Sequence, residues 1–271
     1  MKKITLLIFT TLFSFVVSAT NVDTVIIFSS GMHQSIKAVI ITPGNYKNKA
    51  VRFPVVYLLH GYSGKYSDWI IKMPEGLKAL ADENKMIIVC PDGGFSSWYF
   101  DSPVDTTFRY ETYEATEVVN YIDKNYRTIT DAAHRAITGL SMGGHGALFL
   151  ALRHPDIFGA AGSMSGGVDL SESRNRFDIM KRIGDTTLNA QNWHDYSVVN
   201  VIEHYATTPV KIIFDCGIND IFIKGNRLLN KKMLELKIPH EYTERPGEHN
   251  WEYWKNAVVF QLYYFKKFFN K

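Results

Sequence analysis

Residues 139–148 read GLSMGGHGAL, a serine set among four glycines. Upstream, Arg135-Ala-Ile-Thr138 has the profile of a buried strand; downstream, Leu148-Phe-Leu-Ala-Leu152 has that of a buried helix. Glycine weakens both kinds of element, so glycines crowded between them mark a backbone shape that other residues resist. Gly139-Leu-Ser-Met-Gly143 is a G-x-S-x-G, and between a strand and a helix that pattern is a nucleophile elbow. The turn is so tight that side chains two before and two after Ser141 would collide, and glycine at both places removes the collision. Gly144 and Gly146 are expected to let the helix start close against the strands.

Working outward, Thr24–Ser30 and Ser35–Thr42 read as the strands of a hairpin. Pro54–Leu59, Met86–Cys90, Arg135–Thr138, Ala160–Met164 and Val210–Phe214 read as short apolar strands, with His240–Arg245 as a last, more polar one. Strands apolar throughout belong to a sheet covered on both faces. Helical spacing appears over Glu111–Tyr126, Arg227–Leu236 and Trp251–Phe269. This alternation predicts an α/β fold: a mostly parallel central sheet of about eight strands with helices on both faces. In such sheets ligands bind beyond the carboxyl ends of the strands, so the residues that follow each strand are the ones to weigh.

Of the 271 residues, 46% are hydrophobic and 21% charged, the balance of a globular chain with a real core. The net charge of +3 is small and its basic residues are spread out, which argues against a nucleic-acid footprint. Lys2-Lys3, an apolar stretch from Ile4 to Val17 and the small residues Ser18-Ala19 form the pattern of a secretory signal peptide over residues 1–19. Residues 20–271 are then expected to form one domain, periplasmic or extracellular. No later run approaches the ~20 apolar residues of a spanning helix, so no stable membrane association is expected. Cys90 and Cys216 are expected to be buried free thiols rather than a bridge. No metal-site spacing is present; no cofactor is expected, and a monomer is the default.

A serine needs a base and an acid to become a nucleophile, and in this fold they follow it in the order Ser, Asp/Glu, His. His249 in "RPGEHNW" stands at the carboxyl end of the last strand and before the last helix, where the base belongs. His145 is expected to be a packed or surface residue and His60 a brace in its loop. Asp220 lies in the loop beyond Gly217, free to turn towards His249; Asp215 is expected to be structural, bonded to neighbouring loop backbone. Two backbone donors are needed for the oxyanion: the N–H of Met142, just past the nucleophile, and that of Tyr62 in His60-Gly-Tyr-Ser-Gly64.

On "VVYLLHGYSGKYSDW", "PDGGFSSWY", "AITGLSMGGHGAL", "CGINDIF" and "RPGEHNWEYW", the chain resembles the esterase D-like family of α/β-hydrolases. That group includes feruloyl and acetylxylan esterases, tributyrin esterases, S-formylglutathione hydrolases and mycolyltransferases. The resemblance implies an α/β-hydrolase fold, places nucleophile, acid and base on Ser141, Asp220 and His249, and places the oxyanion donors on Tyr62 and Met142. It agrees with the assignment from strand ends. Trp98 and Tyr99, and after them Trp69 and Trp251, are candidate substrate contacts for a sugar ring or a phenolic acyl group. The polar segment 167–204 is placed to cap the site. The expected function is secreted hydrolysis of short acyl or feruloyl esters of sugars. The alternatives are acyl transfer to a sugar hydroxyl and a non-catalytic carbohydrate-binding relative.

Overall fold

Short apolar strands whose every residue is buried build the centre of the molecule, as their composition requires. The computed structural model describes residues 20–205 and 207–270, so the expected signal peptide lies outside the described residues. The strands are β1 (Asn21–Ser29), β2 (Gln34–Thr42), β3 (Val55–Leu59), β4 (Ile87–Pro91), β5 (Arg135–Gly139), β6 (Ala160–Met164), β7 (Lys211–Gly217) and β8 (His240–Arg245). They form one eight-stranded sheet in the order β1-β2-β4-β3-β5-β6-β7-β8. The β1–β2 hairpin and the β2–β4 pair are antiparallel; every pair from β4 to β8 is parallel.

The helices are α1 (Asp68–Lys72), α2 (Pro74–Asn84), α3 (Tyr110–Thr112), α4 (Val119–Asn125), α5 (Met142–Arg153), α6 (Ile179–Ile183), α7 (Ala190–Asp195), α8 (Val198–His204), α9 (Ile223–Glu235) and α10 (Trp251–Phe269). Alternation along the strands sorts them onto two faces. Val55, Tyr57 and Leu59 of β3 pack into one core with Phe149 of α5, Val199 of α8 and Leu229 of α9. Val56 and Leu58 point the other way, into a second core with Leu77 of α2 and Leu262 of α10. Helices on both faces of a mostly parallel sheet make this the α/β-hydrolase architecture expected above.

The helix expected over Glu111–Tyr126 is not a regular one. Between α3 and α4 the backbone widens into a π-helical segment, Tyr113–Val118, the kind of one-turn insertion that shifts a helical face. It carries Glu114 into the core, where neither carboxyl oxygen has a partner among the described residues. Burial pushes the Glu114 carboxyl well above the usual range, and the Asp92 carboxylate adds to the rise. The group is therefore protonated when folded and ionises on unfolding above its ordinary value. The folded state binds the extra proton, so stability falls as pH rises through that window. Glu114→Gln keeps the shape and removes the proton. In urea melts between pH 5 and 8, the variant should gain on the native protein by up to about 1.4 kcal/mol per pH unit. Parallel stability curves would show that Glu114 is already ionised in the fold.

Candidate active site

The loop after β5 turns so sharply into α5 that Ser141 adopts φ 55° and ψ −117°, a conformation costing a non-glycine residue on the order of 1–3 kcal/mol. Its N–H donates to the Met164 carbonyl at 2.9 Å and the Gly143 N–H closes the turn on Leu140 at 2.7 Å, which hold the strained shape. A Cβ on Gly139 would lie 2.7 Å from the Gly143 carbonyl carbon, the collision the sequence pattern anticipates. Gly144 does meet β6, at the Ser163 hydroxyl. Gly146 departs from expectation: its neighbour is the Tyr99 ring, not a strand.

Ser141, His249 and Asp220 come together from the ends of β5, β8 and β7. The Ser141 hydroxyl donates to His249 Nε2 at 2.9 Å. His249 Nδ1 donates to the two Asp220 oxygens at 3.0 and 2.9 Å. An acceptor-only carboxylate on Nδ1 fixes the tautomer, leaving Nε2 free to take a proton. The Asp220 side chain is wholly buried and also accepts from the Phe222 N–H at 2.8 Å. Phe222 and Trp254 meet the imidazole edge-on at centroid distances of 5.1 and 4.9 Å, so its ring plane is set by packing as well as by hydrogen bonds.

Asp215 stands apart from this chain. Its carboxylate accepts from Gln261 Nε2 of α10 at 2.8 Å and faces Arg245 at 3.4 Å. Its partners are side chains rather than the loop backbone expected for it. Burial pushes it up to about 6, against the lowering effect of those partners. His145 is fully buried with Nε2 bonded to the Tyr196 carbonyl, and burial pulls it down to about 4. Cys90 and Cys216 are buried and unbridged. Among the described residues, no group of three or more His, Cys, Asp or Glu side chains could hold a metal, and no helix is long and apolar enough to cross a membrane.

Ser141 and His249 open on a cavity of about 250 Å³ walled by Tyr62, Leu140, Phe177, Trp251 and Trp254. Rings touch in an unbroken line around it: Phe95, Tyr62, Phe177, Phe222, His249, Trp254, Trp251 and Trp69. Of the expected substrate contacts, Trp251 lines this cavity. Trp69 is buried behind it, its indole N–H donating to the Leu59 carbonyl at 3.1 Å. Trp98 and Tyr99, the first expected contacts, are also buried, and neither lines this cavity. Phe177 and Trp254 stand on the wall in their place; Phe177 carries no local sequence signal, because it reaches the site from the polar segment between β6 and β7.

Tyr99 has another task. Its hydroxyl donates to the His60 carbonyl at 2.9 Å, at the base of the loop that carries Tyr62. The ring is boxed between Gly93 and Gly146, and a Cβ on either would overlap its atoms. His60 braces the same loop as expected, donating from Nδ1 to the Gly61 carbonyl and accepting the Gly93 N–H on Nε2, both at 2.8 Å. Among the described residues the N–H groups of Tyr62 and Met142 donate to no protein acceptor, as oxyanion donors must be. Gly146→Ala should therefore cost about 1–3 kcal/mol by overpacking Tyr99, read by urea unfolding. A change below about 0.5 kcal/mol would show that the ring has room to move.

Comparison with known proteins agrees with this fold. A solved ferulic acid esterase is 30% identical, superposes with a TM-score of 0.80, and matches over 93% of this chain and 99% of its own. An esterase of Mycobacterium tuberculosis is 28% identical over 236 residues, 78% of this chain and 51% of its own length. The endo-1,4-beta-xylanase/feruloyl esterase of Xylanibacter ruminicola is 32% identical over 162 residues, 56% of this chain and 22% of that protein. The chain thus spans about half the length of the first of these curated relatives and less of the second. The family model described as "Putative esterase" matches residues 29–264, and the chain belongs to that family and has the α/β-hydrolase fold.

Proposed function

We propose that this esterase hydrolyses carboxylic esters through an acyl-enzyme on Ser141, that it is exported, and that it takes short acyl or feruloyl esters of sugars. The mechanism is carried by one observation: the Ser141–His249–Asp220 hydrogen-bond chain, with contacts of 2.9–3.0 Å, opening on a walled cavity. As Ser141 Oγ attacks the ester carbonyl, His249 Nε2 takes its proton. The carbonyl oxygen, now an anion, is met by the N–H groups of Tyr62 and Met142, the second at the positive end of α5. Collapse breaks the ester bond, and His249 returns the proton to the leaving alcohol. Water then attacks the acyl-enzyme by the same path and releases the acid, while Asp220 holds the imidazole and stabilises its cation.

Export is supported by the basic, then apolar, then small-residue pattern of residues 1–19. Sugar esters are supported by the feruloyl esterase names of two relatives and by the aromatic walls of the cavity. Acid released from methyl ferulate and acetylated xylo-oligosaccharides tests the reading. Ser141→Ala should lower kcat by on the order of 10⁶, and Asp220→Asn by about 10⁴ by favouring the wrong imidazole tautomer. Asp215→Asn should affect stability and leave turnover at the native level. Undiminished hydrolysis by Ser141→Ala would end the proposal. An esterified sugar formed in place of free acid would assign acyl transfer instead.

A further inference from the structure

Two pairs of consecutive non-glycine residues lie in the left-handed backbone region: Trp98–Tyr99 at φ 54° and 63°, and Phe177–Asp178 at φ 58° and 55°. They are joined, the Trp98 indole N–H donating to the Phe177 carbonyl at 2.9 Å. Left-handed conformations persist in such residues only where surrounding contacts over-determine them, and the second pair forms the tip of the segment leading into α6. Further contacts meet at the tip. Asp178 pairs with Lys181 at 2.9 Å and accepts from the Tyr62 hydroxyl at 3.4 Å. The Phe177 ring meets Tyr62 edge-on at 5.3 Å and Phe222 at 6.0 Å, and it lines the cavity over Ser141.

The chemistry of the reaction divides that cavity. The leaving alcohol receives its proton from His249, so it departs on the side of His249, Trp251 and Trp254. The carbonyl oxygen turns to the Tyr62 N–H, so the acyl chain begins beside the Tyr62 ring. From there aromatic rings continue in both directions, to Phe177 and to Phe95 at 5.0 Å, a residue 58% exposed. A ring left in water at the mouth of an active site is ready to cover apolar substrate, and aromatic pairs gain most from planar partners.

Resting on the acyl-enzyme reading above, we propose that the Phe177–Asp178 tip selects the acyl group, admitting a planar aromatic acyl chain along the Phe95–Tyr62–Phe177 wall. Trp98, buried and out of reach of substrate, is the positioning residue that holds the tip in place. Methyl ferulate and methyl acetate share an alcohol and differ in the acyl group, so the ratio of their kcat/KM values isolates this selection. Phe177→Ala should lower the ferulate-to-acetate ratio by roughly tenfold or more, and Phe177→Tyr should keep it. Trp98→Phe removes the indole N–H together with part of the buried ring; it should move the ratio the same way by raising KM for ferulate while its kcat holds. A ratio unchanged in Phe177→Ala, or a fall in both substrates together, would overturn the proposal. Absence of ester cleavage by the native enzyme, or its survival in Ser141→Ala, would instead overturn the reading beneath it.

Discussion

At Gly143 the elbow lies directly on the backbone that leaves β3: a Cβ there would sit 2.5 Å from the His60 carbonyl oxygen and 2.8 Å from that of Leu59. This contact presses the turn carrying Ser141 against the loop carrying Tyr62. The two N–H groups proposed to receive the oxyanion are thereby placed by backbone packing rather than by adaptable side chains. The same His60 carbonyl receives the Tyr99 hydroxyl, and the His60 ring receives the Gly93 N–H. The loop after β4 thus holds the loop after β3, which holds the elbow after β5. These strands are neighbours in the sheet, so the site is a stack of three adjacent strand ends, each fixed by the next. Preorganisation of this kind lets backbone dipoles meet developing charge without rearranging.

That rigidity coexists with polar burial that an inert core would not carry. Glu114 lies in the core with no partner on either oxygen, and the nearby Tyr57 and Tyr113 hydroxyls are likewise unpaired among the described residues. Holding the carboxyl neutral avoids the far larger penalty of a buried charge. The π-helical insertion at Tyr113–Val118 is the local cause: apolar Ala115, Val118 and Ile122 still reach the core, and Glu114 is drawn in with them.

The strands were legible from local composition, and the meeting of Ser141, Asp220 and His249 from which residues follow the strand ends. A short apolar run bounded by turn residues is a strand buried on both faces, and β6 and β8 start and stop where their composition changes. His249 is identified by standing after the last strand. The aromatic residues were not legible in this way. Whether Trp98 and Tyr99 face solvent depends on backbone angles in the left-handed region and on glycines at 93 and 146 that leave a slot for the Tyr99 ring. Residue type alone predicts neither, since an aromatic side chain in a loop after a strand fits a binding surface and a core equally well. Phe177 is the converse case: a residue in a polar segment, brought to the site by a hydrogen bond to an indole 79 positions away.

The two aspartates after the β7 apolar run show how far alternation can carry such an argument. In β7, Ile212 and Phe214 pack into the core beneath α5, α8 and α9, whereas Ile213 packs into the core beneath α10. Asp215 continues the alternation on the side of Ile213 and so meets Gln261 of α10 and, from neighbouring β8, Arg245. It is committed to the sheet before the loop begins. Asp220 lies past Gly217, where the strand ends, and no ladder dictates its direction. Its loop is held by the Ile218 N–H on the Arg245 carbonyl and the Asn219 N–H on that of Gly247, at 2.9 and 3.0 Å. Those two bonds tie it to the very segment that carries His249. Asp220 and His249 are therefore brought together by a backbone seam between the loops after β7 and β8, and the hydrogen bond between their side chains completes a contact that the main chain has already made.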